Sequence, residues 1–328
     1  MQKRRLGKTG FEVNEIGLGT WQVGGVWGQP FDHKLADRIL DEAIERGVNF
    51  LDTADVYSDG ESEKAVGRAV RKAQGKVFVA TKCGRRIQPH VSAGYTPEAL
   101  EQYVDDSLRR LGVETIDLIQ LHCPPTEVFY RPEIFALFDR LKAKGKIRNL
   151  GVSVEKVEEA MKAVEYDNVT TVQIIFNMLR QRPADRFFAL AREKDVGILV
   201  RVPLASGLLT GKFSAQTTFG AEDHRTFNRQ GAAFDKGETF AGVDYETGLR
   251  VVEKLKAVFP AQPGLAAWAL RWILRHPEVS VVVPGASRPE QLVSNLEVSG
   301  LRPLTDAEMT AVREIYNNDV RPLVHQLW

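Results

Sequence analysis

Four side chains that could carry proton-transfer chemistry follow apolar runs of this 328-residue sequence. Asp52 ends the second run and Tyr57 lies just beyond it, while Lys82 ends the third run and His122 ends the fourth. A phenol with its ordinary pKa of about 10 is a poor proton donor at neutral pH, and a nearby ammonium group lowers that pKa because it favours the phenolate. We therefore predict that Lys82 lowers the pKa of Tyr57 and that Asp52 fixes the ammonium group. His122 would either orient the group that accepts the proton or relay the proton.

Eight short apolar runs alternate with longer amphipathic segments, and the runs must position these side chains. They cover residues 16–20, 48–54, 77–82, 116–122, 149–154, 171–177, 197–204 and 279–284. Their nearly continuous apolar character is typical of parallel strands that are buried on both faces. Eight successive strand and helix units predict an α/β fold, a single (β/α)8 TIM barrel over residues 1–328. Functional side chains of such barrels lie at the carboxyl ends of the strands, which would bring the four residues to one mouth.

Three segments fall outside the eight units. Residues 1–14 contain Gly7, Lys8, Thr9 and Gly10 between short strand-like stretches, which predicts a small β-hairpin. Residues 213–242 follow the seventh strand without a clear period, and a loop of that length in a compact domain is either functional or disordered. The stretch from Thr305, with a glutamate three residues later, predicts an extra capped helix near the C-terminus.

Charge and composition limit the class of partner and compartment. The formal net charge of +1 gives no overall attraction to nucleic acid or anionic lipid. Two cysteines, Cys83 and Cys123, do not indicate a disulfide framework. No apolar run of signal-peptide length follows the basic N-terminus, and none approaches the roughly 18 residues of a membrane span. We therefore expect a soluble, cytoplasmic protein that binds a small molecule and neither nucleic acid nor membrane.

Three residue patterns that would indicate other chemistry are incomplete. Residues 17–22 resemble a dinucleotide-binding fingerprint but lack its third glycine. Cys83, His122 and Cys123 could ligate zinc, but neighbouring strand residues point to opposite faces, so the two cysteines would point away from a mouth that His122 faces. The Gly-x-Ser-x-Gly elbow of the α/β-hydrolases is not present in the sequence. We therefore expect no metal in the site.

The four residues and their surroundings resemble the aldo-keto reductase superfamily. Residues 52–57, followed by residues 60–63, are similar to its signature, and the positions of Lys82 and His122 match its other two catalytic positions. The similarity also includes residues 17–21, 201–212 and 283–295, and it thus covers nearly the whole chain. The resemblance implies NADPH-dependent reduction of aldehydes and ketones without a metal. It also implies that Asp52, Tyr57, Lys82 and His122 are the catalytic residues.

The same resemblance implies which residues bind NADPH or NADP+. Arg288 stands at the start of a helix and could hold the 2′-phosphate, because helix N-termini bind anions and arginine can pair with phosphate bidentately. Helix capping alone would also explain the residues at this position. Gly285 stands where a lysine is frequent and Gln291 where an arginine is frequent, so NADH stays open as the cofactor. The implied cofactor residues are Gly19, Thr20, Trp21, Asp52, Ser153, Gln173, Arg201, Leu204, Gly207, Lys212, Gly285, Ser287, Arg288, Gln291 and Asn295.

The nicotinamide end of the cofactor would lie next to the substrate. Ser153 and Gln173 match the positions that hold its carboxamide, although Val154 stands where an asparagine is usual. Arg201 stands where many relatives stack a tyrosine on the nicotinamide, and a planar guanidinium group can also stack. The substrate pocket that this arrangement implies is lined by Trp21, Trp27, Tyr57 and His122.

Three functions stay open at this point. A reductase of small aldehydes or ketones is favoured because all four catalytic positions are present. The second is an NADP-binding redox sensor or regulatory subunit with little turnover, as some members of the superfamily are. The third is a barrel lyase that forms a Schiff base on Lys82.

Overall fold

A closed, eight-stranded parallel sheet is the centre of the molecule. The computed structural model describes residues 1–25, 29–73 and 75–328, and within them each barrel strand pairs with the next one along the chain. Bridges between Ile16 and Val282 and between Gly19 and Gly285 join the first and last barrel strands. The predicted (β/α)8 barrel is therefore confirmed. In chain order the strands are β1 (Lys3–Arg5) and β2 (Glu12–Asn14), which form a hairpin, and the barrel strands β3 (Leu18–Gly19), β4 (Phe50–Asp52), β5 (Phe78–Cys83), β6 (Ile116–His122), β7 (Ile147–Ser153), β8 (Val169–Ile175), β9 (Gly197–Arg201) and β10 (Val279–Val282).

Helices surround the sheet and begin where the sequence supplies capping residues. The Asp32 carboxylate accepts a hydrogen bond from the first helix, and the Thr96 hydroxyl accepts one from the third. Thr305 and Glu308 form a reciprocal capping box, which confirms the extra helix near the C-terminus. The helices are α1 (His33–Glu45), α2 (Glu61–Lys72), α3 (Pro97–Leu111), α4 (Pro132–Ala143), α5 (Val157–Ala163), α6 (Arg182–Arg186), α7 (Phe188–Glu193), α8 (His224–Phe227), α9 (Tyr245–Lys256), α10 (Leu265–Leu274), α11 (Pro289–Glu297), α12 (Asp306–Ile315) and α13 (Arg321–Val324). Among the helices in the described part of the chain, none has the length and apolar character that crossing a membrane would need.

The hairpin of β1 and β2 covers the end of the barrel where the strands begin. Leu6 and Phe11 belong to the same buried cluster as Phe50, which lies inside the barrel. At Gly7 the backbone has a φ of +50°, and a Cβ atom there would lie only 2.2 Å from the amide nitrogen of Gly197. Glycine therefore allows both the turn and the close approach of hairpin and barrel. The predicted hairpin is confirmed, and it leaves the opposite end of the barrel as the mouth.

Side chains inside the barrel change from apolar to polar toward that mouth. On β5, Ala80 is followed two residues later by Lys82, and on the neighbouring β6, Leu118 is followed by Gln120 and then by His122. Side chains two residues apart on a strand point to the same face. The pairing of Ala80 with Leu118 and of Lys82 with Gln120 sets these residues at matching heights. Consequently, an apolar layer lies beneath a layer of chemically active side chains.

The connection between β9 and α9, residues 202–244, lies over part of the mouth, and we call it the β9–α9 loop. It contains the long loop predicted at residues 213–242, with α8 and short 3-10 turns at Ala205–Thr210, Lys236–Glu238 and Phe240–Gly242. Within it, Glu238 forms ion pairs with Arg85 and Arg201. The His224 ring lies 5.0 Å from the ring of Trp21, between centroids. The loop therefore contacts the rim of the mouth at several points.

Candidate active site

Lys82 is fully buried and connects three elements at the mouth. Its Nζ atom donates hydrogen bonds to Asp52 Oδ2 at 2.7 Å, to the carbonyl oxygen of Thr53 at 2.8 Å, and to the hydroxyl oxygen of Tyr57 at 3.2 Å. Burial alone would lower the pKa of Lys82, but Asp52 and Tyr57 outweigh burial and raise it. Lys82 is therefore a charged ammonium group at neutral pH. The structure brings the predicted carboxylate, ammonium and phenol together.

Two glutamine amides hold the second oxygen of Asp52. Oδ1 of Asp52 accepts hydrogen bonds from Nε2 of Gln120 at 3.1 Å and from Nε2 of Gln173 at 2.8 Å. The carboxylate is thus fixed from β6 and β8 as well as by Lys82. Gln173 contacts Asp52 in this arrangement, and its assignment to the carboxamide of the cofactor stays a prediction. Gln120 was not among the predicted site residues, although its position two residues before His122 on a buried strand was a usable signal.

Tyr57 follows β4 on a turn with unusual backbone geometry. The next two residues, Ser58 and Asp59, have φ angles of +47° and +54°, which side-chain-bearing residues rarely adopt. Arg86 holds the turn, since its Nη2 donates to the carbonyl oxygen of Asp55 at 2.6 Å and also to the Asp59 carboxylate. Strained backbone is kept only where surrounding contacts impose it. This turn therefore places the phenol over Lys82.

The prediction that the pKa of Tyr57 lies below its ordinary value is wrong, although Lys82 itself acts to lower it. Burial raises the pKa of Tyr57, Lys82 lowers it, and Asp52 raises it, so that it lies above its ordinary value. The reason is that the phenol is removed from water, which disfavours the phenolate more than one paired ammonium group favours it. Tyr57 therefore keeps its proton at neutral pH. Because Lys82 donates to the phenol oxygen, the phenol hydrogen stays available for another acceptor.

His122 ends β6 beside Tyr57, with 6.0 Å between the ring centroids. Burial lowers the pKa of His122 well below its usual range, and the positive charges of Arg85 and Lys82 act in the same direction. Its Nε2 lies 3.4 Å from Nη1 of Arg85. Among the described residues, the buried Nδ1 of His122 has no hydrogen-bond partner. A neutral imidazole carries one N–H donor and one acceptor nitrogen.

One predicted pocket residue lies close to this group and another cannot be placed. The Trp21 ring is 6.5 Å from the Tyr57 ring, between centroids, and forms one wall beside His224. Trp27 lies outside the described residues. The pocket wall is therefore described by Trp21, Tyr57 and His122.

Four charged side chains form a largely buried group next to His122, which we call the mouth quartet: Arg85, Glu155, Arg201 and Glu238. Glu238 pairs with Arg85 at 2.8 Å and with Arg201 at 3.3 Å, and Arg201 also pairs with Glu155 at 3.0 Å. Burial raises the pKa of Glu238, but Arg85 and Arg201 outweigh burial and bring that pKa to about 2. Burial raises the pKa of Glu155 to about 8, because the opposing effect of Arg201 is smaller and Glu238 adds to the rise. The arginines of the quartet therefore outweigh burial at Glu238 but not at Glu155.

The mouth quartet is relevant to two predictions, the contact of Arg201 with the cofactor and the absence of a metal. Arg201, expected to stack on the nicotinamide, is paired with Glu155 and Glu238 and donates to the carbonyl oxygen of Val154 at 3.1 Å. Its contact with the cofactor stays a prediction. Sγ of Cys123 and one oxygen each of Glu155 and Glu238 lie within 4.8 Å of one another, a spacing at which a metal could bind. Since Arg201 pairs with both carboxylates, ion pairs already account for this cluster.

The predicted adenosine-binding residues gather where β10 leads into α11. Gln291 Oε1 accepts hydrogen bonds from the amide nitrogen of Ser287 at 2.8 Å and from its hydroxyl at 3.0 Å. Asn295 Nδ2 donates to the carbonyl oxygen of Gly285 at 3.4 Å. Arg288 is the N-cap residue of α11, and its side chain is exposed. The cation is therefore available to solvent at a helix N-terminus.

The remaining predicted cofactor residues lie at or after the ends of barrel strands. Gly19 donates its amide to the carbonyl oxygen of Pro284, and Thr20 Oγ1 donates to the carbonyl oxygen of Asp52 at 3.1 Å. Ser153 is buried at the end of β7. Leu204, Gly207 and Lys212 lie at the start of the β9–α9 loop, where Gly207 has a φ of +92° and Lys212 is exposed. These residues therefore lie at or after the carboxyl ends of the first, fifth and seventh barrel strands.

Comparison with known proteins identifies the family. A model described as the aldo/keto reductase family matches residues 15–317. The chain belongs to the aldo/keto reductase family.

Relatives of this aldo/keto reductase span nearly its whole length. It is 30% identical to the uncharacterized oxidoreductase YqkF of Bacillus subtilis, with 98% of each chain covered. It is 29% identical to the NADH-specific methylglyoxal reductase of Escherichia coli, with 96% of this chain and 98% of the relative covered. Among solved structures, the glycerol dehydrogenase AKR11B4 of Gluconobacter oxydans superposes with a TM-score of 0.79 at 30% identity, covering 99% of this chain and 98% of that one.

The residues of this aldo/keto reductase that the sequence did not indicate come mainly from loops. Arg85 follows β5, Glu155 follows β7, and Glu238 lies deep in the β9–α9 loop. Charged residues after strand ends are common on protein surfaces, so the residue types alone did not indicate that these three belong to the site. Only the three-dimensional path of the loops brings them beside His122.

Proposed function

We propose that this aldo/keto reductase family member reduces small aldehydes and ketones with a nicotinamide cofactor, with Tyr57 as the general acid. The observation that carries the proposal is the buried chain of hydrogen bonds from Asp52 through Lys82 to the oxygen of Tyr57. In this chain the ammonium group stabilises a phenolate, while the phenol still holds its proton before reaction. General acid catalysis of this kind contributes about 10²–10⁴-fold to a rate.

The residues at the mouth have the chemistry that a dinucleotide needs. Arg288, Lys212 and the hydroxyl of Ser287 are donors that suit phosphate groups, and Arg288 lies at the N-terminus of α11, where anions are favoured. Ser153 is the sheet partner of His122 and would face the nicotinamide. When bound, the cofactor supplies the hydride. We favour NADPH because of Arg288, while the relative described as NADH-specific supports NADH as the alternative.

The proton in this reaction moves from Tyr57 to the carbonyl oxygen. As the carbon accepts the hydride, negative charge develops on that oxygen, and the O–H bond of Tyr57 breaks while a new O–H bond forms on the alcohol product. The resulting phenolate lies 3.2 Å from Nζ of Lys82 and is stabilised there. Asp52 and its two glutamine partners keep the ammonium group in place. A proton from solvent then restores the phenol.

His122 would orient the carbonyl group rather than relay the proton. Its pKa lies well below the usual range because of burial and the nearby cations, so it stays neutral. A neutral imidazole has a single N–H donor, which can hold a carbonyl oxygen without any change in the charge of the ring. The ring therefore shapes the place where the carbonyl lies, next to Tyr57.

The same electrostatics weigh against a lyase that forms a Schiff base. Attack on a carbonyl needs an unprotonated amine, whereas Asp52 and Tyr57 raise the pKa of Lys82 and keep it protonated. Borohydride trapping with a carbonyl substrate and no cofactor would reveal a covalent adduct on Lys82, and we expect none.

Turnover of a reactive aromatic aldehyde, followed by the loss of NADPH absorbance, tests the proposal. We expect reduction that depends on NADPH or NADH and is lost in Tyr57→Phe. Tight binding of NADPH, seen by fluorescence, without turnover of any of a panel of aldehydes and ketones would instead favour a redox sensor or regulatory subunit.

A further inference from the structure

The two glutamine amides on Oδ1 of Asp52 come from different heights in the barrel. Gln120 pairs with Gly151 of β7, whereas Gln173 pairs with Ser153, which is the last residue of the same strand. Two residues along a strand correspond to one layer of side chains on the same face. Gln173 therefore lies one layer nearer to the mouth than Gln120.

Gln120 is enclosed in the barrel below the mouth. Its side chain is fully buried, and a Cβ atom at Gly151 would lie 3.2 Å from its Cγ atom, so the side chain packs directly on the backbone of β7. Nε2 donates to Oδ1 of Asp52 at 3.1 Å, and no hydrogen-bond partner of Oε1 is present among the described residues. The contact with Asp52 is therefore the one that orients this amide.

Gln173 differs from Gln120 because the cofactor would use it. It is level with Ser153, and the predicted role of both is to hold the carboxamide of the nicotinamide. An amide that serves both Asp52 and the cofactor cannot be aimed ideally at each of them, since hydrogen bonds weaken as their angles depart from linearity. Gln120, one layer deeper, serves Asp52 alone.

We propose that Gln120 is the positioning residue that keeps Asp52, and through it Lys82, aligned with Tyr57 while the cofactor is bound. This inference rests on the proposed function, in which Lys82 stabilises the phenolate of Tyr57. Asp52 accepts from Lys82 on Oδ2 at 2.7 Å and from Gln120 on Oδ1, so holding Oδ1 sets the plane of the carboxylate. Without Gln120 the carboxylate turns, and Nζ of Lys82 follows it away from the phenol oxygen, which is 3.2 Å distant.

Gln120→Met tests this role, since it keeps the length of the side chain and removes the amide. We would follow NADPH oxidation in a single turnover with a reactive aromatic aldehyde, because this rate is independent of product release. The rate is expected to fall by about 10–100-fold, the range for one hydrogen bond to a charged group. The dissociation constant of NADPH should stay near the wild-type value. Gln173→Met, in contrast, should weaken NADPH binding.

Gln120→Glu separates the hydrogen bond from packing. The new carboxyl group is nearly the same shape as the amide, but it donates to Asp52 only when it carries a proton. Burial and Asp52 are expected to raise the pKa of this group, and the more distant Lys82 to oppose the rise. The single-turnover rate of Gln120→Glu relative to the wild type at the same pH should therefore increase as the pH falls from about 9 to about 5.

Gln181 provides a matched control in another part of the fold. It is 1% exposed, its Nε2 donates to the carbonyl oxygen of Met178 at 3.0 Å, and within the described part of the chain its Oε1 also has no partner. Its backbone forms a hydrogen bond with Tyr316, among the C-terminal helices. Gln181→Met is expected to lower stability and to leave the single-turnover rate as in the wild type.

The other outcomes separate the role of Gln120 from the proposed function. A rate near the wild-type value in Gln120→Met, or an equal fall in Gln181→Met, would overturn the role of Gln120 and leave the reductase intact. If Gln120→Met does not fold, Gln120→Glu decides, and a relative rate that does not change with pH would overturn the role. A wild type that binds NADPH and reduces no aldehyde would overturn the proposed function itself, and the role of Gln120 with it.

Discussion

Nζ of Lys82 lies 3.2 Å from the hydroxyl oxygen of Tyr57, and it also donates to Asp52 and to the carbonyl oxygen of Thr53. Three hydrogen bonds to oxygen satisfy the three N–H donors of an ammonium group. The proton of Tyr57 is therefore not drawn toward Lys82 but is free to reach a substrate. Burial keeps the proton on Tyr57 before reaction, and the ammonium group of Lys82 stabilises the phenolate that forms when the proton leaves.

Tyr57→Phe should remove the proton donor and keep the packing of the ring. We expect the rate of carbonyl reduction to fall by about 10²–10⁴-fold, which corresponds to roughly 3–5 kcal/mol in the activation barrier. NADPH binding, titrated by fluorescence, should be retained, because the ring is not a phosphate ligand. A variant that binds NADPH normally and reduces aldehydes at a near wild-type rate would refute the mechanism.

The variant Lys82→Met tests whether Lys82 and Tyr57 act together in one catalytic step. Lys82→Met should lose about as much activity as Tyr57→Phe, since the phenolate is then left without its ammonium group. The double variant should lose far less than the sum of the two effects, as expected for residues that share one step. Fully additive losses would show that Lys82 acts independently of Tyr57.

Arg288 should contribute to the choice of cofactor. Its guanidinium group is exposed at the N-terminus of α11, where a 2′-phosphate would meet both the cation and the helix end. Arg288→Ala is expected to weaken NADPH binding by roughly 1–3 kcal/mol and to change NADH binding little. Dissociation constants for both cofactors give the answer, and an equal loss for the two would exclude the phosphate role.

Asp55 should make the protein less stable as the pH rises toward neutrality. Burial raises its pKa from 3.8 to about 7, Glu63 adds to the rise, and Arg86 opposes it. Between these two values the folded protein binds a proton that the unfolded chain has lost, so this contribution is fully present below the unfolded pKa and disappears as the pH rises through the folded pKa. Asp55→Asn should therefore reduce the loss of stability between about pH 4 and pH 8 by roughly 2–4 kcal/mol.

Denaturant unfolding at several pH values measures this effect. The exposed Asp306, whose side chain is 93% accessible, supplies the matched control. Asp306→Asn should follow the pH dependence of the wild type closely. If Asp55→Asn also follows it, the carboxyl group of Asp55 titrates normally in the folded protein.

The barrel and the four central residues were predictable because local patterns carry them. Each buried strand is an apolar run, and a polar residue such as Lys82 at the end of such a run needs a partner, which makes it conspicuous. The starts of β7 and β8 were less visible, since both strands begin two residues before their predicted limits. Strand ends next to loops depend on pairing with neighbours rather than on composition.

The raised pKa of Tyr57 and the mouth quartet could not be predicted, for a different reason. The pKa depends on how completely the phenol is removed from water, which is a property of packing. Arg85 and Glu238 are 153 residues apart in the chain and meet only because the β9–α9 loop returns over the mouth. The spacing of these two residues in the sequence therefore does not predict their contact.

The β9–α9 loop is held against Trp328. The indole Nε1 of Trp328 donates to Oδ1 of Asp235 at 2.7 Å, and the guanidinium carbon of Arg180 lies 4.6 Å from the indole centroid. A Cβ atom at Gly242 would lie 2.2 Å from the same ring, so the loop backbone packs directly on it. The ring is 6% exposed. These contacts tie two parts of the loop to one side chain.

Limited proteolysis within residues 213–242 should therefore respond both to Trp328 and to the cofactor. Trp328→Ala should speed cleavage in the absence of NADPH, because protease sensitivity follows local opening. Saturating NADPH should slow cleavage of the wild type if the loop orders over the bound cofactor, as loops over active sites commonly do. The neighbouring Leu327, which is 48% exposed, provides the control, and Leu327→Ala should leave the cleavage rate unchanged. Equal rates for all three proteins would show that Trp328 does not hold the loop, and unchanged cleavage at saturating NADPH would show that the cofactor does not order it.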